Sequence, residues 1–251
     1  MSDESEMARI FITGSADGLG QLSARSLIEQ GHDVVLHARN TERAREALKK
    51  NPKAQSVVAG DLSSIEATKS LAGQVNQSGA FDAVIHNAGV YQASAKEIFM
   101  VNTVAPYVLT CLIQKPKRLI YLSSGMHLQG RSRLDNLKSD ISRITYSDSK
   151  LHVLMLCMAV ARKWKDVCTN AVDPGWVPTK MGGRSATDDL QKGFETQVWL
   201  AISNDEKAKV SGHYFFHQKK KVHNAEADDV SLQQKLLDLC GEMTGISFPQ
   251  D

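Results

Sequence analysis

Tyr146 and Lys150 stand four residues apart, slightly more than one helical turn, so both side chains leave the same face of a helix. An ammonium beside a phenol favours the phenolate. Bringing a tyrosine from its usual pKa of ~10 towards neutrality takes roughly 4 kcal/mol. A unit charge about 4 Å away supplies on the order of 4 kcal/mol at an effective dielectric of ~20. The pair is therefore sized to make a tyrosine acid/base that works near neutral pH. Far upstream lies a glycine loop, Thr13-Gly14-Ser15-Ala16-Asp17-Gly18-Leu19-Gly20, which indicates what the pair works beside: a dinucleotide.

Gly14, Gly18 and Gly20 fall between a strand and a helix, where glycine permits a tight turn and lets the N–H groups of the loop, Ser15 and Leu19 included, approach a pyrophosphate at the helix N-terminus. The second strand ends in Leu36-His37-Ala38-Arg39-Asn40. A site that prefers NAD(H) places a carboxylate here for the ribose 2′-hydroxyl. This chain has none, and Arg39 can clamp a 2′-phosphate, so the expected cofactor is NADP(H). Asp61 after the third strand is placed to accept from the adenine amino group, with Leu62 beside the ring. Asn87-Ala88-Gly89 closes the fourth strand with small residues against which a ribose can lie.

The elements that must position these groups follow from patterning. Short apolar runs at 10–13, 34–36, 55–59, 83–85, 118–122 and 168–172 alternate with helical stretches at 18–30, from 41, 65–77, 95–113, 146–164 and, near the end, 230–244. Strands without period-two alternation, separated by helices, argue for a parallel sheet covered on both faces. With right-handed crossovers the expected fold is a doubly wound, Rossmann-type α/β sheet in a single domain spanning 1–251. Two irregular stretches, 125–145 and 182–189, follow strands and are expected to form the substrate rim.

Bulk properties exclude other classes. The formal net charge is +2, too small to argue for a nucleic-acid or anionic-membrane partner. Lys219-Lys220-Lys221 reads as a solvated turn. The four cysteines are scattered and read as reduced thiols. The acidic N-terminus lacks the order of a signal peptide, and no apolar run approaches a membrane span, which points to a cytoplasmic protein. The eight histidines show no metal-ligand spacing; His86, His127 and His152 read as packed side chains, with His127 nearest the substrate rim.

Thr13-Gly14-x-x-x-Gly18-x-Gly20, Asn87-Ala88-Gly89, Asn102, Ser123-Ser124, Tyr146-x-x-x-Lys150 and Pro174-Gly175-Trp176-Val177-Pro178-Thr179 together resemble the short-chain dehydrogenase/reductase family over nearly the whole chain. The segment 123–150 and the tail Ser211-Gly212-His213-Tyr214-Phe215 are most similar to its retinol-dehydrogenase-like and carbonyl-reductase-like branch. The resemblance implies a catalytic tetrad of Asn102, Ser124, Tyr146 and Lys150. Tyr146 would exchange a proton with the substrate oxygen and Ser124 would hydrogen-bond it. Lys150 would lower the Tyr146 pKa and bind the nicotinamide ribose, and Asn102 would hold a relaying water. Pro174, Val177 and Thr179 would line the nicotinamide side, with Val177 and Thr179 at the carboxamide.

The implied function is NADP(H)-dependent interconversion of a carbonyl and an alcohol on a small or medium apolar substrate. A catalytically silent NADP(H)-sensing protein on the same fold is the second reading, and a methyltransferase-like domain, to which Tyr146 and Lys150 would be superfluous, is the third. The helix after Tyr146 is apolar on nearly all sides, as is the helix carrying Asn102. A second buried face calls for a partner helix, and the expectation is a homodimer or homotetramer pairing these helices.

Overall fold

A computed structural model describes residues 7–135 and 137–249; most of the acidic N-terminal segment, residues 1–6, lies outside them. The strands β1 (Arg9–Ile12), β2 (Asp33–Ala38), β3 (Ser56–Ala59), β4 (Ala83–His86), β5 (Arg118–Leu122), β6 (Cys168–Asp173), β7 (His213–Phe216) and β8 (Lys219–Lys220) form one sheet in the order β3-β2-β1-β4-β5-β6-β7-β8. Every pairing is parallel except β7 with β8. This is the doubly wound α/β domain expected.

The alternation of side chains along each strand builds two cores. Ile10, Ile12, Leu36 and Ile120 point to the face covered by α1 (Gly18–Glu29), α2 (Thr41–Lys50) and α7 (Leu190–Ile202). Phe11, Val35 and Tyr121 point to the face covered by α3 (Ile65–Gln77), α5 (Ala105–Leu112), α6 (Tyr146–Lys163) and α8 (Val230–Thr244). The strand order reverses at β1, which lies between β2 and β4. Loops leaving β1 and β4 therefore part there and open a crevice at the carboxyl ends of the strands.

The stretch 95–113 is not one α-helix. It divides into α4 (Ala95–Phe99), a π-helical turn (Met100–Val104) and α5. Pro106 near the start of α5 has no N–H to offer the carbonyl of Asn102, four residues back, so a continuous α-helix is interrupted at that carbonyl. Asn102 sits in the widened turn.

The helix pairing expected from apolarity has a different explanation. All residues of α6 from Asp148 to Ala161 are buried within the single chain. Its outer face is covered by α8 and by the short 3₁₀ turn Ala225–Asp228. Leu236, Leu237 and Cys240 of α8 join the same core, Tyr107 of α5 donates to the Ile246 carbonyl at 2.6 Å, and Trp164 packs on Phe248. The second buried face belongs to the chain's own C-terminal segment. Lys219 and Lys220, expected in a turn, form the edge strand β8. The turn itself is His217 and Gln218, both at positive φ (48° and 61°), as a tight hairpin requires.

Candidate active site

The start of α6 is fixed before any chemistry is considered. Thr145 caps the helix, accepting from the Asp148 amide, while the Asp148 carboxylate accepts from the Thr145 amide (3.0 Å) and hydroxyl (2.8 Å). This reciprocal box satisfies donors the helix leaves orphaned. The same buried carboxylate accepts from the Arg131 amide at 2.8 Å and meets Arg133 at 3.1 Å, pinning the rim loop to the helix. Tyr146 and Lys150 project from this first turn.

Lys150 is buried, and its Nζ donates to the carbonyl of Leu122 at the end of β5, 2.9 Å away. Ser123 returns the contact by donating to the Lys150 carbonyl at 2.8 Å. The Lys150 Nζ lies 5.4 Å from the Tyr146 ring centre. Burial pulls the Lys150 pKa down to about 8. Burial also pushes the Tyr146 phenol up to about 12, against the opposing pull of a hydrogen bond with Ser124, and the charge of Asp173 and the phenol of Tyr91 add to the rise. The expected lowering of Tyr146 by Lys150 is therefore corrected for the protein by itself: loss of hydration outweighs the lysine, which is turned to a backbone carbonyl. The serine beside the Tyr146 phenol is Ser124, while Ser123 locks strand to helix. Tyr91 meets the Tyr146 ring edge-on at 4.8 Å.

Asn102 is held on every side-chain atom that can bond. Its amide donates to the Val90 carbonyl (2.9 Å) and to Ser149 (3.0 Å), and its oxygen accepts from the Val90 amide (2.8 Å). Ser149 in turn donates to the Tyr146 carbonyl at 2.7 Å. A Cβ on Gly89 would stand 3.3 Å from the Lys150 Nζ and 3.4 Å from the Asn102 oxygen, so Gly89 separates the two groups. The Asn102 side chain thus fixes the loop after β4 to the helix carrying the tyrosine.

Tyr146 and Lys150 line a cleft of ≈ 420 Å³ that continues to the glycine loop. Gly14 adopts φ +64°, and a Cβ there would fall 2.9 Å from the Ala88 Cα; the loops after β1 and β4 touch because the side chain is absent. Asn87 strengthens that contact by donating to the carbonyls of Thr13 (2.9 Å) and Gly14 (3.1 Å). The Leu19 and Gly20 amides at the start of α1 make no hydrogen bond among the described residues, as an anion site at a helix N-terminus requires. Asp61 turns one oxygen to Ser63 (2.8 Å) and lines the cleft with Leu62. Arg39 is exposed at the rim and makes no ion pair among the described residues. These features fit a dinucleotide carrying an extra phosphate.

Of the residues expected to hold that dinucleotide, Gly14, Gly18, Leu19, Arg39, Asp61, Leu62, Asn87, Ala88, Gly89, Pro174 and Thr179 line the cleft together with Tyr146 and Lys150. Three are set differently. Ser15 is buried, donating to the Ile12 carbonyl at 2.9 Å and accepting from the His37 amide at 2.8 Å. Gly20 lies behind the cleft, where a Cβ would meet the Asn87 amide nitrogen at 2.3 Å. Val177 is buried, and its Cγ1 would meet a Cβ on Gly193 of α7 at 2.7 Å.

Other residues contribute without having been singled out. His37 accepts from the Gly14 amide at Nδ1 (2.9 Å), and its Nε2 bonds the Gly60 carbonyl (2.9 Å). It is neutral because burial holds its pKa down to about 4. Asp17 caps α1 and pairs with Arg43 (3.3 Å), Lys50 (4.0 Å) and, across the cleft, Lys180. The pairing with Lys180 leads the causes that lower its pKa. The signal for Arg43 and Lys180 was available as cationic residues close to the ends of β2 and β6. His37 offered no pattern. His86, His127 and His152 are buried side chains, as expected.

The family model for short chain dehydrogenases matches residues 8–190. The chain belongs to the short-chain dehydrogenase/reductase family. This dehydrogenase/reductase is an oxidoreductase by membership. An uncharacterized oxidoreductase of Emericella nidulans is 44% identical, covering 97% of this chain and 99% of its own. The short-chain dehydrogenase chyC of Penicillium rubens is 39% identical, covering 97% and 100%. Among solved structures, a Mycobacterium paratuberculosis protein superposes with a TM-score of 0.80 at 22% identity, covering 96% and 95%. A short chain dehydrogenase of Shigella flexneri complexed with NADP gives 0.67 at 22% identity, covering 86% and 100%. No described helix of this dehydrogenase/reductase is long and apolar enough to cross a membrane.

Proposed function

We propose that this chain interconverts a carbonyl and an alcohol with NADP(H), using Tyr146 as the proton-transferring group. The observation that carries the reading is that Tyr146 and Lys150 line the same cleft as the glycine loop and the free cation Arg39. The NADP bound to the Shigella flexneri structure supports the choice of dinucleotide. When bound, that cofactor supplies or accepts the hydride.

The remaining work belongs to the chain. In reduction Tyr146 gives its phenolic proton to the carbonyl oxygen, and Ser124, already bonded to the phenol, holds the same oxygen. Lys150 carries positive charge against the ribose and draws the phenol's pKa back as the oxygen develops charge. Asn102, through Val90 and Ser149, keeps the tyrosine and the loop after β4 in one geometry. Arg39 and Arg43 take the 2′-phosphate, Asp61 and Leu62 the adenine, and Pro174 and Thr179 border the nicotinamide. The free thiols suit the cytoplasm, whose reducing poise favours the reductive direction.

Mixing the protein with NADPH and a panel of aldehydes and ketones, and following the reduced-nicotinamide absorbance, tests this. Wild type consumes NADPH; Tyr146→Phe binds it with nearly unchanged affinity and turns over at least about a thousandfold more slowly. NADPH binding with no turnover on any substrate would leave the cofactor-sensing role. Undiminished turnover by the phenylalanine variant would overturn the assignment of Tyr146.

A further inference from the structure

Ser94 and Glu97 have the S-x-x-E spacing of a capping box at the start of α4, but only half of the box is made. The Ser94 hydroxyl accepts from the Glu97 amide at 3.2 Å. The Glu97 carboxylate makes no hydrogen bond or ion pair among the described residues. Its partly buried side chain lines the dinucleotide cleft instead. A carboxylate in a cleft suited to a polyanion repels that ligand unless it meets one of the ligand's few donors.

The direction of the side chain says which donor. Phe99 meets His152 of α6 with ring centres 6.0 Å apart, and Asn102 donates to Ser149 of the same helix at 3.0 Å. Glu97 precedes Phe99 by two residues, about 200° around the helix, so it points away from α6 and towards the β3 side of the cleft. Val101 lines the same cleft, as do Asp61 and Leu62 after β3. Asp61 commits Oδ1 to the Ser63 amide (2.9 Å) and hydroxyl (2.8 Å), and its Oδ2 accepts nothing among the described residues. This end of the cleft thus combines two apolar side chains, Leu62 and Val101, with two carboxylates that have oxygens to spare. A flat aromatic base fits the first pair. An amino group on that base, with two N–H bonds to give, fits the second.

We infer that Glu97 is a base-recognition residue: with Asp61 it holds the adenine amino group, one carboxylate to each N–H, and so selects an aminopurine coenzyme over an oxopurine one. The inference rests on the proposed NADP(H) reading and extends it from the phosphate to the base. A site that accepts from an amino group rejects an analogue carrying an oxygen there, because its acceptors are left unpaired. Two carboxylates facing that oxygen add repulsion.

Calorimetric titration with NADP+ and with its hypoxanthine analogue, in which a carbonyl replaces the amino group at C6, tests this without turnover. Wild type is expected to bind NADP+ at least about tenfold more tightly than the analogue. Glu97→Ala should narrow that ratio at least about threefold, weakening NADP+ and strengthening the analogue. Glu97→Gln, whose amide can donate to the C6 oxygen, should strengthen the analogue further. A merely structural role for Glu97 would weaken both coenzymes alike. A ratio unchanged within about twofold in a Glu97→Ala protein that still binds NADP+ overturns the inference, as does a wild type that binds the two coenzymes equally. A wild type that binds neither coenzyme defeats the NADP(H) reading itself, and the inference with it.

Discussion

Lys150 Nζ stands 5.4 Å from the centre of the Tyr146 ring and donates to the carbonyl of Leu122, not to the phenol. Each group is moved by burial in the direction that disfavours its charge: the lysine down to about 8, the tyrosine up to about 12. The pair is ordered for proton transfer with the phenol protonated and the ammonium close to its titration point.

The lysine sets the alkaline limit. For NADPH, kcat/KM reports the free enzyme, and it is expected to decline above about pH 8 as the Lys150 charge is lost. Lys150→Arg, always charged, should move that decline out of range. Linkage gives a second readout. The Lys150 pKa is lower folded than unfolded, so between about 8 and 10.5 the unfolded chain binds more protons and this group's contribution to stability rises with pH. Below that window the buried charge is a net cost. Lys150→Met should therefore raise the thermal midpoint by a few degrees while abolishing turnover, which calorimetry and the NADPH assay measure side by side.

Coenzyme choice should follow the cations at the end of β2. Arg39→Ala and Arg43→Ala are each expected to raise KM for NADPH about tenfold to a hundredfold, with KM for NADH nearly unchanged. Ala38→Asp should move preference towards NADH by placing a carboxylate against the 2′-phosphate. Initial-rate kinetics with both coenzymes check the pattern.

Asp148 should prove the costliest single carboxylate at the site. It serves the Thr145 amide and hydroxyl, the Arg131 amide and Arg133 while 2% exposed. Asp148→Ala is expected to destabilise by about 3 kcal/mol, seen as a lower urea midpoint. Because those bonds set the first turn of α6, turnover should fall more steeply than NADPH affinity.

A single-chain mass is expected in sedimentation equilibrium at micromolar concentration. The hydrophobicity of α6 that argued for a partner helix is consumed by Leu236, Leu237 and Cys240 of α8. Leu236→Lys should expose that face, producing aggregation or self-association where the parent shows neither.

These cases show what patterning conveys. Strands β1 to β6 and helices α1, α3, α6 and α8 were legible because their apolar periods are long and local, and the motif residues were legible because their types are few. An apolar face reads the same whether its cover comes from another chain or from residues eighty positions later, so α8 on α6 was not. Nor was the break at Asn102, although Pro106 marks it. Ser15 was placed at the pyrophosphate by its amide, but that amide is spent on the His37 carbonyl at 3.1 Å, and the Val177 side chain is turned inward. His37, Ser149 and Asp148 act through partners far apart in the chain and leave no spacing to read.

One imidazole, that of His37, joins the turn after β1 to the turn after β3 by accepting from Gly14 and bonding Gly60. It can do so only without its second proton. Acidification towards pH 4 thus removes the acceptor under the phosphate-binding turn, and coenzyme grip should be surrendered at a milder acidity than the sheet itself. The neighbours Ala38 and Arg39 inherit the same constraint: any attempt to rewrite coenzyme choice there must leave that ring seated.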